Sequence, residues 1–560
     1  MATASTTPAA LAEQHRTTLD AAVAAIHGRH FYTPYPESPS PKVYGQEAAP
    51  TGQAAFEGYL GADFPLDQPG TSDRIATERS PYGIKLDVRY PRTDTESLLA
   101  AARDALPSWR DAGPDGRAGV CLEILRRLNE RSFEMAHAVQ HTSGQAFVMA
   151  FQAGGTHAQD RGLEAVAYGY DMITSYAGTV RWEKPQRKGD PLVMDKRFRA
   201  VGRGTALLIG CNTFPTWNAY PGLFASLVTG NPVIVKPHPG AVLPLAITVA
   251  IAREVLAEAG LDPNTVLLAT EHPEEKRAAD LALRPEVRIV DFTGSTAFGD
   301  WLEANARQAF VNTEKAGVNA VVVDSTDAYR GMLDNLAFSL SLFSGQMCTT
   351  PQNIFVPRRG VDTDEGHKTP GEVSSDLAEA VSRLLEDPAT ATGVLGAIAN
   401  EDILHRLEHA EKLGEAALRP HSVTHPEFAD ARVRTPAIVN VDAEQRETYA
   451  RERFGPVSFV ITTDDTPDSL RLMRETITAG GALTASVYST TERVLEAAEQ
   501  TAMAAGVNLS ANLTGQVFVN QSAAFSDYHG TGANPVATAS LTDPAYVAGR
   551  FSFVQSRRHA

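Results

Sequence analysis

A cysteine set among small and polar residues is the first candidate for chemistry. Cys348 lies in the segment Ser344-Gly-Gln-Met-Cys348-Thr-Thr. A thiol attacks as the thiolate, so such a site must either lower the thiol pKa or supply a base. Taken alone, a single cysteine is more often a small buried apolar residue. The assignment of Cys348 as a nucleophile therefore depends on the residues found around it.

Two glutamates are candidates for a general base or for a ligand-binding carboxylate. Glu314 shortly precedes the apolar run NAVVVD at 319–324, and Glu452 lies in the segment Arg451-Glu-Arg-Phe-Gly-Pro456. A carboxylate at the entrance of a strand can act as a general base. From these residues alone, ordinary solvated charge is the alternative for both glutamates.

Two further segments have the composition of a nucleotide site. In DFTGSTAFG, residues 291–299, a strand runs into Gly294 and a helix opens just after it, so the first N–H groups of that helix would face a diphosphate. Lys236 ends the apolar run PVIVKP at 232–237, where its ammonium could bind a ribose hydroxyl or a phosphate. The alternatives are a tight strand-to-helix turn and an exposed strand-end lysine.

Strands that alternate with helices must position these groups. The pattern predicts strands at 205–210, 232–237, 264–270 and 287–292, with a helix at 240–259 and another from about Ser295. Such alternation implies an α/β fold with a parallel sheet and a nucleotide-type crevice at its C-terminal edge. The run at 319–324 begins a second region of the same kind.

The N-terminal third of the chain has a different character. A helix is predicted over about 9–28, and helical periodicity returns over 95–176, with Gly144 as a C-cap. Between them, the proline-rich and aromatic segment that starts HFYTPYPESPSPKVYG at His30 resists regular structure, and we expect it either to lie extended over the surface or to be a linker. Residues 179–201 predict a β-hairpin around Lys188-Gly189-Asp190.

Composition excludes several classes of protein. The 560 residues carry 50 Lys and Arg against 67 Asp and Glu, and a net charge of −17 disfavours nucleic acid or an anionic membrane as partner. Three scattered cysteines form neither a disulfide framework nor a CxxC metal site. We find no signal peptide and no apolar run long enough to span a bilayer, so a cytoplasmic protein without a metal is expected.

Taken in order, these motifs resemble the aldehyde dehydrogenase superfamily. They are the GNPVIVKP lysine strand, the FTGSTxxG turn, the EKAG form of the glutamate motif, the GQxC cysteine motif and ExFGPV. Cys348 follows Glu314 by 34 positions, a spacing similar to that of the family. The match runs from about Thr95 to the C-terminus. Five motifs in order are far more specific than any one of them.

Within the superfamily the chain resembles the PaaN-type branch of phenylacetate catabolism. The resemblance rests on HFYTPYPESPSPKVYG and on CNTFPTWN at 211–218. That branch is related to the dehydrogenase half of PaaZ-type ring-opening enzymes, which act on a CoA-linked semialdehyde. Since the chain lacks a fused hydratase-like half, the resemblance implies that a separate hydratase opens the ring.

The resemblance also implies a role for each site residue. Cys348 adds to the aldehyde, hydride passes to the nicotinamide, and Glu314 activates the water that releases the acid. The backbone N–H of Cys348 and a side chain hold the oxyanion. Cofactor contacts are implied for the lysine strand, the glycine turn and the ExFGPV motif, at Lys236, Gly294, Ser295, Gly299, Glu452 and Phe454.

Two departures from the family pattern lead to specific expectations. The oxyanion side chain is usually the Asn of a W-N-F-P pattern, and counting back 18 positions from Asn231 gives Thr213, with Asn212 one place away. Three residues after Lys236, many NAD-preferring members carry Glu, whereas this chain has Pro239. Losing that carboxylate removes the repulsion of a 2′-phosphate, so we expect NADP to be accepted, with NAD as the alternative.

The expected fold class is therefore α/β, with a Rossmann-like cofactor domain, an α/β catalytic domain and a β oligomerisation arm. We assign 95–178 and 204–317 to cofactor binding and 318–528 to the catalytic domain. Residues 179–203 and 529–560 form the arm, and 1–94 form an extension whose first helices pack on the cofactor domain. The arm predicts a homo-oligomer built from dimers.

The predicted activity is NAD(P)-dependent oxidation of an aldehyde to the carboxylic acid, and the resemblance implies a CoA-linked semialdehyde from phenylacetate ring opening as the substrate. Two rivals remain. One is a CoA-acylating enzyme, in which CoA rather than water resolves the thioester, although such members typically lack the glutamate base. The other is a catalytically weak scaffold subunit of a catabolic complex.

Overall fold

The computed structural model describes residues 7–315 and 317–560. Its first elements are α1 (Pro8–Gln14), α2 (Arg16–Gly28), α3 (Pro41–Tyr44), α4 (Ala48–Glu57), β1 (Thr71–Ile75) and β2 (Tyr90–Thr93). The helix expected at 9–28 is present, but it breaks at His15, whose buried Nε2 lies 2.9 Å from Glu123 Oε2. Leu11 and Leu19 join the hydrophobic core beneath the first large sheet.

The predicted helical region is also present. It consists of α5 (Thr95–Asp111), α6 (Gly113–Glu130), α7 (Ser132–Ser143), α8 (Phe147–Phe151) and α9 (His157–Thr174), and residues Gln152–Thr156 form a π-helical turn before α9. Gly144 is the C-cap of α7, as predicted, with φ of 89°. Its positive φ is the left-handed conformation that glycine adopts without a steric penalty.

A five-stranded parallel sheet follows, in the order β7-β6-β5-β8-β9. Its strands and helices are β5 (Thr205–Ile209), α10 (Ala219–Val228), β6 (Val233–Lys236), α11 (Leu243–Glu258), β7 (Val266–Leu268), α12 (Arg277–Ala282), β8 (Val287–Gly294), α13 (Thr296–Asn305) and β9 (Phe310–Lys315). All the predicted strands are present. Because the chain moves outward from β5 to β7 and then returns to add β8 on the other side of β5, the strand order reverses there, as at a nucleotide-binding crevice.

Successive side chains of these strands point to opposite faces of the sheet, and both faces are covered by helices. In β5, Ala206 and Leu208 pack into one core with α6, α9 and α11, whereas Leu207 and Ile209 pack into another with α5 and α13. Burial on both sides explains why these strands read as continuous apolar runs.

A second sheet has seven strands in the order β15-β16-β17-β12-β10-β18-β19, parallel except for β15. Its strands are β10 (Ala320–Val323), β12 (Asn353–Pro357), β15 (Glu415–Leu418), β16 (Ala437–Asp442), β17 (Val457–Thr463), β18 (Thr484–Tyr488) and β19 (Asn508–Ala511). The helices are α14 (Tyr329–Ser341), α15 (Pro370–Leu384), α16 (Pro388–Leu395), α17 (Glu401–Glu408), α18 (Arg446–Tyr449), α19 (Thr466–Gly480) and α20 (Glu492–Ala505). A small sheet of β11 (Ser325–Thr326), β13 (Val361–Thr363) and β14 (Gly366–Lys368) accompanies it.

The predicted hairpin is present as β3 (Thr179–Lys184) and β4 (Leu192–Gly202). The last strand, β20 (Phe551–His559), pairs with β4 of the same chain and completes a three-stranded antiparallel sheet. Residues 529–550, which the sequence analysis grouped with this arm, pack elsewhere. They bridge to Glu314 through Ala537, form α21 (Pro544–Ala548), and bury Arg550 against Asp291. Among the described residues, no helix has the length and apolar character needed to cross a bilayer.

Candidate active site

Cys348 follows a strained turn at the end of α14. In the turn Leu342–Gly345, the non-glycine residues Phe343 and Ser344 have φ of 54° and 48°. Left-handed conformations cost energy for such residues and persist only where the surroundings enforce them. Here the buried Ser344 Oγ donates to the carbonyls of Leu395 and Arg434, at 3.1 and 2.9 Å. The turn is therefore held in place by the α16 and β16 side of the fold.

Asn319, which the sequence analysis did not single out, holds the cysteine from the other side. Its Nδ2 donates to the carbonyl oxygen of Cys348 at 2.7 Å, and its Oδ1 accepts from the backbone N–H groups of Leu483 and Thr484. Since Asn319 immediately precedes β10, it links the position of the thiol to the centre of the seven-stranded sheet.

Glu314 belongs to β9 of the five-stranded sheet, where it pairs in register with Thr293 of β8. It therefore lies within a strand, rather than at the entrance of the next one. Its side chain is 1% exposed, and a ligand oxygen of Glu314, the Cys348 Sγ and a nitrogen of His529 all lie within 4.8 Å of one another. The two large sheets thus bring Glu314 close to Cys348, as their separation of 34 positions in the chain had suggested.

His529 joins this pair and was not found from the sequence. Its Nε2 lies 3.1 Å from Glu314 Oε1 and 3.7 Å from Cys348 Sγ. The ring packs edge-on against Trp217, with centroids 4.5 Å apart. His529 comes from the segment after β19, far from either partner in the chain, so periodicity offered no signal for it.

Burial, and then the nearby Glu314 carboxylate, raise the pKa of Cys348 well above the usual value of a thiol. Such a thiol is protonated near neutral pH, so its attack on an electrophile needs a base. Glu314 and His529 are the groups within reach of the sulfur that can take this proton.

The structure does not place the two expected oxyanion residues in the cavity beside Cys348. Asn212 donates to the Thr142 carbonyl, and Thr213 accepts from Gln145 through its own carbonyl. Instead Asn218 lines that cavity, and its Nδ2 donates to Glu314 Oε1 at 3.1 Å. The count from Asn231 assumed a fixed loop length, whereas Asn218, the N-cap of α10, lies five positions after Thr213.

A cavity of about 620 Å³ leads to Cys348, Asn218 and His529. Much of its lining is apolar or aromatic, and these residues are Phe31, Tyr32, Val148, Met149, Phe214, Trp217, Phe338, Leu342, Met347, Val394, Val517 and Phe518. The proline-rich segment contributes Phe31, Tyr32 and Glu37, so it forms part of the cavity wall and is not merely a linker. The π-helical turn contributes Gln152 and Ala153.

Lys236 lies at the end of β6, as predicted, but it is buried rather than exposed. It forms an ion pair with Glu271, which is also buried and follows β7. Burial lowers the pKa of Lys236, and Glu271 opposes that shift. The structure thus supplies a carboxylate beside the lysine that the sequence analysis did not find, because Glu271 is 35 positions away from Lys236.

The glycine turn has the expected strand-to-helix form. Gly294 ends β8, and Ser295 is the N-cap of α13 but makes no side-chain capping hydrogen bond. Gly299 serves packing instead, because a Cβ there would lie 2.7 Å from the Lys315 side chain. Of the three residues, Gly294 and Ser295 are placed to hold an anion at the helix N-terminus.

Glu452 and Phe454 line a narrow cleft together with Cys348. Burial raises the pKa of Glu452 to about 7, against a small opposing effect of Arg406. Its Oε1 is buried and makes no hydrogen bond to any described residue. This buried oxygen can therefore accept a hydrogen bond from a ligand in the cleft.

Comparison with known proteins shows the family and the fold of the chain. The model of the aldehyde dehydrogenase family matches residues 88–532. The chain is 24% identical over 399 residues to 4-trimethylaminobutyraldehyde dehydrogenase B of Danio rerio, covering 68% of this chain and 70% of that protein. The structure of an NAD-dependent aldehyde dehydrogenase from Burkholderia multivorans is 56% identical, with a TM-score of 0.97 over 98% of this chain and 99% of that one.

More distant structures share the fold. A 1-pyrroline-5-carboxylate dehydrogenase from Thermus with bound NAD is 19% identical, with a TM-score of 0.74 over 95% of this chain and 99% of that one. The family model covers most of the chain, and the expected α/β fold of this superfamily is confirmed. The chain belongs to the aldehyde dehydrogenase family.

Proposed function

We propose that this protein oxidises an aldehyde to the carboxylic acid with NAD, through a thioester on Cys348. The observation that carries the proposal is the meeting of Cys348, Glu314 and His529, whose ligand atoms lie within 4.8 Å of one another beside a cavity that Cys348 and His529 line. A thiol, a base within reach and a buried amide donor are the groups that acyl chemistry on an aldehyde requires.

The residues fit a nicotinamide dinucleotide. Lys236 and Glu271 are suited to the adenosine ribose, Gly294 and Ser295 to the diphosphate, and the orphaned carboxylate oxygen of Glu452 to the nicotinamide ribose hydroxyls. NAD, when bound, accepts the hydride of the thiohemiacetal. Phe454 lies in the same cleft as Cys348 and Glu452 and would pack against the nicotinamide ring.

The chain's own residues carry the remaining steps. A base takes the thiol proton, the Cys348 sulfur adds to the aldehyde carbon, and Asn218 Nδ2 and the Cys348 N–H hold the resulting oxyanion. After oxidation, Glu314 removes a proton from water, which attacks the thioester and releases the acid. A base this close to the thioester supports hydrolysis over the CoA-acylating alternative, and the complete set of groups argues against a scaffold role.

The cavity supports a free aldehyde with an apolar or aromatic body. A CoA-linked substrate needs cations for its phosphates, but His157 pairs with Glu37 and Arg161 pairs with Glu164. The CoA-linked semialdehyde of phenylacetate ring opening, made by a separate hydratase, is the second candidate. One observation supports this second candidate. The HFYTPYPESP segment, which carries the resemblance to the phenylacetate branch, lines the cavity.

The test is a cofactor-reduction screen over free aliphatic, free aromatic and CoA-linked aldehydes. We expect NADH formation at a one-to-one ratio with acid, and the highest kcat/KM among free aromatic or medium-chain aldehydes. Higher kcat/KM for the CoA-linked semialdehyde would establish the second candidate. Acyl-CoA as the product in the presence of free CoA would contradict the hydrolytic mechanism.

Replacing Asn218 by alanine should lower kcat by about 10²- to 10³-fold, the effect typical of one oxyanion donor. Asn212→Ala is the matched control, since the Asn212 side chain donates to the Thr142 carbonyl and does not line the cavity. It should change kcat by no more than about 3-fold, well below the loss from one oxyanion donor. Steady-state rates with one aldehyde decide the matter, and equal losses in both variants would contradict the assignment of Asn218.

Cofactor choice is proposed to depend on Glu271. The expectation of NADP rested on Pro239, but the buried Glu271 carboxylate beside Lys236 restores the charge that repels a 2′-phosphate. Glu271→Gln should raise kcat/KM for NADP relative to NAD by about 10-fold. Glu275→Gln is the control, because Glu275 is a carboxylate close to Glu271 in the chain that forms its ion pair with Arg92, whereas Glu271 pairs with Lys236. An unchanged ratio in Glu271→Gln would remove Glu271 from cofactor selection.

Assembly into dimers is proposed to use the sheet β20-β4-β3. Large apolar side chains are exposed on it, at 37% for Val180, 48% for Leu192, 45% for Phe553 and 57% for Val554. Exposed apolar side chains on a protruding sheet support contact with a second copy.

A further inference from the structure

We propose that Cys348, His529 and Glu314 form a binding site for Zn²⁺, so that zinc ions inhibit the enzyme reversibly by occupying its nucleophile. Binding itself does not depend on the activity, whereas the inhibition rests on the proposed function. Thiolate sulfur, imidazole nitrogen and carboxylate oxygen are the three ligand types that Zn²⁺ takes in proteins.

The spacing of the three atoms fits tetrahedral coordination. Bonds of about 2.0–2.3 Å at tetrahedral angles separate neighbouring ligand atoms by roughly 3.3–3.6 Å. His529 Nε2 lies 3.7 Å from Cys348 Sγ and 3.1 Å from Glu314 Oε1, and all three atoms lie within 4.8 Å of one another. The two distances from His529 Nε2 differ from these values by a few tenths of an ångström, so side-chain movements are proposed to bring all three atoms onto one ion.

The site is also prepared to receive a cation. Glu314 Oε2 is buried and makes no hydrogen bond to any described residue, so the carboxylate has an unused oxygen. Asn218 donates to Glu314 Oε1, and Trp217 packs on the His529 ring, so both ligands are oriented by neighbours. Such outer contacts tune metal affinity.

The fourth position of a tetrahedral ion would face the substrate cavity, which is lined by Cys348, His529 and Asn218. Three protein ligands and one open position leave room for water. When the ion binds, the Cys348 thiol loses its proton to solvent and a sulfur–zinc bond forms. The sulfur is then unavailable to an aldehyde, so zinc and aldehyde should compete.

Cobalt titration of the whole protein tests binding without turnover. Co²⁺ should bind at one equivalent, with a near-ultraviolet thiolate-to-cobalt charge-transfer band and the visible bands of a tetrahedral site. Cys348→Ala should abolish the charge-transfer band. Cys121→Ala is the control, because Cys121 is fully buried in α6 away from the cavity, and it should leave the band unchanged.

His529→Gln and Glu314→Gln separate this site from simple thiol binding. Each should weaken Zn²⁺ affinity, measured by competition with a chromophoric chelator, by at least about 100-fold. Two such variants guard against one that fails to fold, and their circular dichroism should match the parent protein. Unchanged affinity in both would overturn the proposal, as would loss of the charge-transfer band in Cys211→Ala with Cys348→Ala unaffected.

Inhibition is measured separately, with micromolar Zn²⁺ and a chelator that restores the rate. We expect competition with aldehyde. Zinc inhibition that is not competitive with aldehyde would overturn the proposal that zinc inhibits by occupying the Cys348 sulfur. If the protein has no dehydrogenase activity but still binds Co²⁺ through all three ligands, the proposed function fails and the metal site stands.

Discussion

Cys348→Ala is expected to lower kcat by about 10⁴-fold or more, the largest effect of any single replacement in this chain. The sulfur forms the covalent bond to substrate, and the other groups act only through that bond. Asn319 still holds the carbonyl of residue 348, and a smaller side chain fits the same turn, so the fold should be retained. Steady-state NADH formation and thermal unfolding of the same sample would check both statements.

Cys211→Ala is the matched control for this prediction. Cys211 is a second thiol near the site, since its Sγ lies 3.7 Å from Asn218 Oδ1, and burial raises its pKa to about 12. It carries no proposed chemistry, so its replacement should leave most of the activity in place. A larger loss in Cys211→Ala than in Cys348→Ala would move the nucleophile to Cys211.

Much of the fold could be predicted from local pattern. Both faces of a parallel sheet are buried, so its strands appear in the sequence as continuous apolar runs, such as 205–209 and 287–292. The C-cap at Gly144 and the hairpin at 179–201 were likewise predictable, since each depends on residues close together in the chain. The sequence analysis placed the hairpin and the C-terminal strand in one arm, but it could not predict that β20 pairs with β4 of the same chain, because some 350 residues separate the two strands.

The site was predictable only where its residues lie in short motifs. Cys348 and Glu314 could be paired through their spacing, but His529 and Glu271 reach the same centres by tertiary contacts. Sequence reasoning has no means of placing such partners. The expectation for Asn212 and Thr213 rested on a count along the chain, and such a count does not show which side chain of the loop before α10 faces the cavity.

The composition of the N-terminal segment indicated an irregular backbone but not where the segment lies in the fold. Proline and aromatic residues from His30 onward predicted the absence of regular structure; this holds over 30–40 but is wrong further on, where α3 and the start of α4 lie in the same segment. The irregular segment is nevertheless anchored to the fold, because Thr33 Oγ1 donates to the buried Asp160 at 2.7 Å. Its residues Phe31 and Tyr32 form part of the cavity wall. Part of the cavity wall is therefore formed by residues outside the two main sheets.

Glu314→Gln should separate the two halves of the reaction. Glutamine keeps the shape and the hydrogen bonds to Asn218 and His529, but it cannot accept a proton from water. We expect steady-state kcat to fall by about 10²- to 10⁴-fold, the range for loss of a general base. The first turnover should still yield about one NADH per site, because hydride transfer precedes hydrolysis.

The thioester should then accumulate on Cys348, where mass spectrometry of the intact protein and of the Cys348 peptide would detect the acyl group. Hydroxylamine should release it as the hydroxamate. Glu303→Gln is the control, because Glu303 of α13 lies outside the cavity and accepts hydrogen bonds from Lys315 and Thr313. No stable acyl adduct should accumulate in this variant. If Glu314→Gln loses the first turnover as fully as the steady state, Glu314 is the base for the thiol. In that case His529 is left as the group able to activate water for release of the acid.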